Sequence, residues 1–232
     1  MKQNPCRLSL SASFVLFTAL CAPASMAASV ALQDISFGGT QETVRWEAGR
    51  LAVGPNVNVP SSGVGTIAPN SPGYAASSGY YSWGGDYALT VSTSIQNNAL
   101  FSDIQNVVFQ QVSMGTGVGS LDFKGGPVIQ LFNGSSLLNV SVPVTFSGLG
   151  PGVSGSAGGF DGTYAAAMFQ WDLSGIAETV TSISIYSPIP NHSSTIEASL
   201  DIGGGPFVQA VPEPAASLLG ALGVLVLLRR RR

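Results

Sequence analysis

Positive charge is what this sequence lacks most. Of nine lysines and arginines, six fall at the two ends, Lys2 and Arg7 at one and Arg229 to Arg232 at the other. Between residues 28 and 211, Arg45, Arg50 and Lys124 stand alone against eleven carboxylates, a formal charge of about −8. Nucleic acids are held by neutralising phosphates with Lys and Arg, so this composition argues against them as partners. It also disfavours an anionic polysaccharide unless a cation bridges the two.

Cysteine and histidine are nearly absent. Cys6 and Cys21 both lie within the first 27 residues, so a mature chain without that segment has no disulfide or thiol chemistry. An exported domain without bridges must hold itself together by burying a core, and residues 28–211 suffice for one such domain. The single histidine, His192, excludes a His-rich metal site within one chain. Beside Pro190 and Asn191 it reads as a turn residue. A serine triad would want a Gly-x-Ser-x-Gly elbow, which Gly152-Val153-Ser154-Gly155-Ser156 misses.

Paired carboxylates are equally scarce. Glu197 and Asp201 share one strand face but stand about 13 Å apart at ~3.3 Å per residue, beyond the roughly 5 to 9.5 Å that a glycosidase uses. The expectation is therefore no catalytic residue, no metal ligand set and no cofactor. A structural calcium would draw on Asp86, Asp103, Asp122, Asp161 and Asp172, hard oxygen donors with no EF-hand loop or Gly-Gly-x-Gly-x-Asp array around them.

Long apolar runs are confined to the ends. Lys2 and Arg7 precede the run from Leu8 to Leu20, and Ser25-Met26-Ala27 supplies small residues for signal peptidase, so residues 1–27 read as a secretory signal peptide. Cleavage after Ala27 is the first choice and after Ala28 the next. A lipoprotein signal fails at Leu20, where a small residue must precede Cys21. At the other end, Ala215 to Leu228 carries no charge. As a transmembrane helix it would reach about 21 Å, short of the roughly 30 Å hydrocarbon slab. Arg229, Arg230, Arg231 and Arg232 then act as a stop-transfer cluster on the cytoplasmic side, leaving Pro212-Glu213-Pro214 as an extended knuckle at the outer interface.

Val211-Pro212-Glu213-Pro214, the short apolar helix and the arginine cluster together resemble the PEP-CTERM sorting signal. The resemblance is confined to residues 211–232. It implies a bacterial envelope protein whose tail is recognised by a membrane-embedded exosortase and cut near Pro212, Glu213 and Pro214, in a cell that makes exopolysaccharide and biofilm. Its expected route is export, an inner-membrane precursor, then the cell surface or extracellular matrix.

Between the ends, Gly, Ser, Thr and Val dominate and no helical periodicity is sustained, which predicts an all-β domain. Period-2 alternation marks strands at Tyr87 to Ile95, Leu138 to Phe146, Ala165 to Leu173 and Ile196 to Ile202. Pro143 marks an edge or a bulge. Val128 to Phe132 runs into Asn133-Gly134, predicting a hairpin with the Leu138 strand. Val30 to Phe37, Thr43 to Val53, Ile104 to Val112 and Val180 to Tyr186 bring the total to roughly nine strands, an antiparallel β-sandwich or jelly roll. Gly54 to Gly79 and Ser147 to Gly162 read as long rim loops. The domain is expected over 28–202, a linker over 203–211 beginning at Gly203-Gly204-Gly205-Pro206, and the sorting segment over 212–232.

One cluster in the domain has the chemistry of a binding surface. Tyr80, Tyr81, Trp83 and Asp86 lie within seven residues, and aromatic faces beside a carboxylate can stack a sugar ring and bond its hydroxyls. The same residues read first as a strand start with ordinary core aromatics. Trp171 reads as core, with Asp172 facing out. The functional expectation is a structural or adhesive surface protein, with a carbohydrate-binding module acting on exopolysaccharide as the alternative.

Overall fold

A computed structural model describes residues 30–47, 49–115, 126–149, 152–157 and 160–206. The expected signal peptide, the sorting motif, the 215–228 helix, the terminal arginines and Asp122 lie outside the described residues. No helix among those residues is long and apolar enough to cross a membrane. The domain is all-β.

Its strands are β1 (Gln41–Trp46), β2 (Thr66–Pro69), β3 (Tyr74–Ala76), β4 (Gly79–Tyr81), β5 (Tyr87–Ser94), β6 (Asn106–Gly115) and β7 (Val128–Asn133). They continue with β8 (Ser136–Leu137), β9 (Val144–Leu149), β10 (Val153–Ala157), β11 (Phe160–Asp172), β12 (Ser182–Ile189) and β13 (Ser193–Gly203). They form an eight-stranded sheet with the path β10-β11-β6-β13-β4-β3, to which β9 adds on β11 and β1 on β13, and a five-stranded sheet in the order β2-β5-β12-β7-β8. Every pairing is antiparallel.

The alternation read from the sequence decides which side chains meet between the sheets. Leu89, Val91, Phe109, Phe169, Trp171, Ile183, Ile185, Leu200 and Ile202 all belong to one core cluster drawn from both sheets, the arrangement of a β-sandwich. Buried polar ties cross this core, among them Ser187 Oγ donating to Gln111 Oε1 at 3.2 Å and Tyr87 Oη donating to the Tyr80 carbonyl at 2.8 Å.

Several expectations need correction. Among the described residues thirteen strands replace the expected nine: β2 and β3 form where Gly54 to Gly79 was expected to be loop, β4 begins at its end, β8 closes the Asn133-Gly134 turn, and β10 forms inside Ser147 to Gly162, while one expected strand is lost. Val30 to Phe37 is not a strand. It crosses the outer face of the large sheet, where Ile35 and Phe37 cover Val108 and Met168. Side chains hold it there: the Gln110 carboxamide accepts from Gln33 N–H and donates to Gln33 C=O, both at 2.9 Å, standing in for a strand neighbour.

The Asn133-Gly134 turn forms, with Gly134 at φ 59°, but its second strand ends at Leu137. The chain then crosses to the other sheet and pairs with β11 as β9. Leu138, Val140, Val142 and Val144 still pack on the core while Asn139, Ser141, Pro143 and Thr145 face out. The face was right and the pairing partner was not. The glycines expected to open the linker stay in the domain: Gly203 closes β13, Gly203, Gly204 and Gly205 are buried, and Gly204 N–H donates to the Thr40 carbonyl at 2.8 Å.

Candidate functional site

The site grows from the hairpin of β3 and β4. Ser77-Ser78 makes its two-residue turn, and Tyr74 pairs with Tyr81, Ala75 with Tyr80 and Ala76 with Gly79. Gly79 has φ 131°, and a Cβ there would stand 2.1 Å from the Thr195 carbonyl oxygen. Glycine lets the hairpin press onto β13 at the one point where β4 pairs with it, beside the bulge between Thr195 and Glu197.

Successive strand residues point to opposite faces, so Tyr80 and Tyr81 part company. Tyr80 turns into the core, 1% exposed, where its phenol donates to the Ile67 carbonyl at 2.9 Å and also bonds Asn58 Oδ1. Burial pushes that phenol well above the ordinary tyrosine range. Tyr80 therefore leaves the expected surface cluster. Tyr81 turns outward beside Tyr74, its directly opposed neighbour.

Two connections between the sheets meet here. Residues 82–86 carry the chain from β4 to β5, and residues 190–192 carry it from β12 to β13. Asp86 Oδ1 accepts the Asn191 N–H at 2.9 Å, and the His192 N–H donates to the Ser82 carbonyl at 3.1 Å. Beneath them the Tyr87 phenol, buried and raised well above its usual range, also donates to the Ser193 carbonyl at 3.2 Å. Asp86 thus binds one connection to the other. His192 is the turn residue expected, with φ 59°, and that turn delivers its ring to the aromatic cluster.

Around Tyr81 the rings stand nearly at right angles. The Tyr81 and Trp83 centroids are 5.1 Å apart at 77°, and those of Tyr74 and Tyr81 6.3 Å apart at 83°. Trp83 and His192 meet at 5.5 Å and 75°, and Tyr81 Oη lies 3.1 Å from His192 Nδ1. These are the edge-to-face contacts that ring quadrupoles favour. Burial, then the neighbouring Tyr74, raises the Tyr81 phenol. Beside the rings opens a cleft of about 240 Å³ lined by Tyr74, Ser78, Tyr81, Trp83, Met114 and Ser194, among others. Trp83 is 60% exposed and Tyr74 43%.

Of the four residues singled out from the sequence, the structure keeps Tyr81 and Trp83 together, sends Tyr80 to the core and uses Asp86 as a clamp. It adds Tyr74, His192, Ser78, Ser194 and Met114. Tyr74 had a local signal, since it and Tyr81 stand three residues to either side of the Ser77-Ser78 turn. His192 comes from 111 residues away from Tyr81, a distance at which spacing carries no signal.

Asp201, Trp171 and Asp172 are each held by the fold. Asp201 is fully buried and accepts from Thr43 Oγ1 at 2.7 Å, Ser199 Oγ at 3.2 Å and Gln110 Nε2 at 3.5 Å. Burial raises its carboxyl, against the pull of those bonds and of Arg45. Trp171 is core, as expected, and Asp172 faces out. The hydroxyl and N–H of Ser174 hold Asp172 below the usual carboxylate range. Among the described residues no three His, Cys, Asp or Glu side chains gather as metal ligands would. No family model matches the chain, and no curated protein or solved structure is detectably similar to it.

Proposed function

We propose that this protein is a structural or adhesive component of a bacterial cell surface or extracellular matrix, exported through residues 1–27 and delivered by its C-terminal tail. Signal peptidase removes the leader. An exosortase-type membrane enzyme then cuts near Pro212-Glu213-Pro214, and the domain passes from the inner membrane to the surface or to an exopolysaccharide matrix. The domain contributes mass, shape and surface, with no chemistry of its own.

One observation carries this reading: Pro-Glu-Pro, fourteen uncharged residues and four arginines follow one another in a single stretch. Each part has a separate physical task. The prolines keep the motif extended, the apolar run enters lipid with its backbone bonds satisfied internally, and the arginines stop transfer. The domain suits the role, since a cysteine-free core of interlocked apolar side chains is indifferent to the redox state outside the cell.

Glu213→Ala tests the proposal in the native host. Export and the leader cut depend on residues far upstream and should be unchanged, while tailed protein accumulates in the inner membrane instead of the surface fraction. An unchanged distribution between fractions would contradict it.

A further inference from the structure

We infer that the cleft beside Trp83 is a binding site for one pyranose unit of a neutral polysaccharide, presented at the end of the domain where β13 begins. This goes beyond the surface role, because the cleft owes nothing to the sorting segment.

The chemistry of the walls selects the ligand. Trp83 and Tyr74 are the largest ring surfaces left in water near the cleft, 60% and 43% exposed, and an apolar ring face is the surface on which the C–H face of a sugar ring rests. Ser78 supplies a half-buried hydroxyl to the same cleft, backed at 3.1 Å by the buried hydroxyl of Ser194. That one bond leaves further donor or acceptor capacity on Ser78. A purely apolar ligand would waste this group. A quaternary ammonium would want a carboxylate or a closed cage, and among the described residues no acidic one lines the cleft.

Charge and size narrow the choice. Among the described residues no lysine or arginine lines the cleft, so from these a uronate or sulfated sugar would lose its water without gaining a cation. The cleft volume of about 240 Å³ falls below the roughly 300 to 1,000 Å³ typical of drug-sized ligands, which suits a single ring with its polymer running on outside.

Topology sets the direction of presentation. Ser194 stands at the start of β13 and Gly203 at its end, about 30 Å apart at ~3.3 Å per residue. The last described residue, Pro206, follows three residues after Gly203, so the cleft lies toward the opposite end of β13 from it.

The tryptophans make the test direct. Trp46 and Trp171 are fully buried, so Trp83 is the one tryptophan of three that added solutes reach. The full chain, solubilised in a detergent without a sugar headgroup, is titrated with cellohexaose, mannohexaose and maltohexaose, with an alginate hexamer and choline as controls. At least one neutral hexasaccharide should saturate a change in Trp83 emission and shield it from acrylamide. Trp83→Ala, read by calorimetry, and Tyr74→Ala, read by Trp83 emission, should each weaken binding at least tenfold with the unfolding midpoint unchanged. Saturation by none of the neutral sugars, binding of alginate or choline alone, or full affinity in either variant would overturn the assignment. None of these results touches the tail, so the surface role stands or falls separately.

Discussion

Phe37 and Gly203 share a space that only glycine leaves open: a Cβ on Gly203 would fall 2.1 Å from the Phe37 ring. Phe37 belongs to the segment that crosses the outer face of the large sheet, and Gly203 closes the strand beneath it. Gly203→Ala should therefore overpack the contact and destabilise the domain by about 1 to 3 kcal/mol. Urea unfolding measures it. In a Phe37→Gly background, which removes both the ring and the Phe37 Cβ that would stand 2.7 Å away, the same change should cost under about 0.5 kcal/mol, and additive losses would show that Phe37 is not the obstacle.

Gly79 offers a second test of close approach. Its φ of 131° and the Thr195 carbonyl 2.1 Å from any Cβ leave alanine no relaxed position. Gly79→Ala should cost well over about 1 kcal/mol and lift the β3–β4 hairpin from β13, altering Trp83 emission in the folded state. A stable variant with unchanged emission would contradict this packing.

These contacts mark what could and could not be read in advance. The inward faces of β5, β11 and β13 were legible because period-2 alternation is a local property of a half-buried strand. Tyr80 parts from Tyr81 under the same rule, since two adjacent tyrosines on one strand cannot share a face, and of the two readings open for the cluster it takes the core one. Pairing partners were less legible. Nothing local tells Val144 to join the large sheet when Leu137 has just paired in the small one, because the choice is made by which core face is vacant. His192 reached the cleft through a turn whose position depends on Asp86 and Ser82, far away in sequence. The Val30 to Phe37 segment alternates like a strand but is held by the side chains of Gln110 and Gln41, a substitution that no propensity reports.

The tryptophans should divide cleanly by burial. Trp171→Ala opens the core and should cost about 3 to 5 kcal/mol. Trp83→Ala, at a site 60% exposed, should stay within about 0.5 kcal/mol. Chemical unfolding of both variants decides it, and a large loss at Trp83 would make that ring a packing residue.

Asp201 gives the pH dependence a sign. Its carboxyl is raised by burial, so its contribution to stability is fully present below the ordinary carboxylate range near about pH 4. That contribution is lost as pH rises through the higher value of the folded state. Asp201→Asn removes this loss. Relative to the parent, the variant should gain stability between pH 4 and pH 8 in urea titrations. A variant that instead falls further behind at pH 8 would show that Arg45 and the surrounding hydroxyls outweigh burial.

The tail is the centre of the proposed role, and one measurement reads it directly: intact mass of the protein recovered from the surface or matrix of its native host. A chain that begins after Ala27 and has lost the residues beyond the Pro212-Glu213-Pro214 region is the expected result. Arg232 still attached in most of the recovered protein would show that the segment is a permanent anchor and contradict the account.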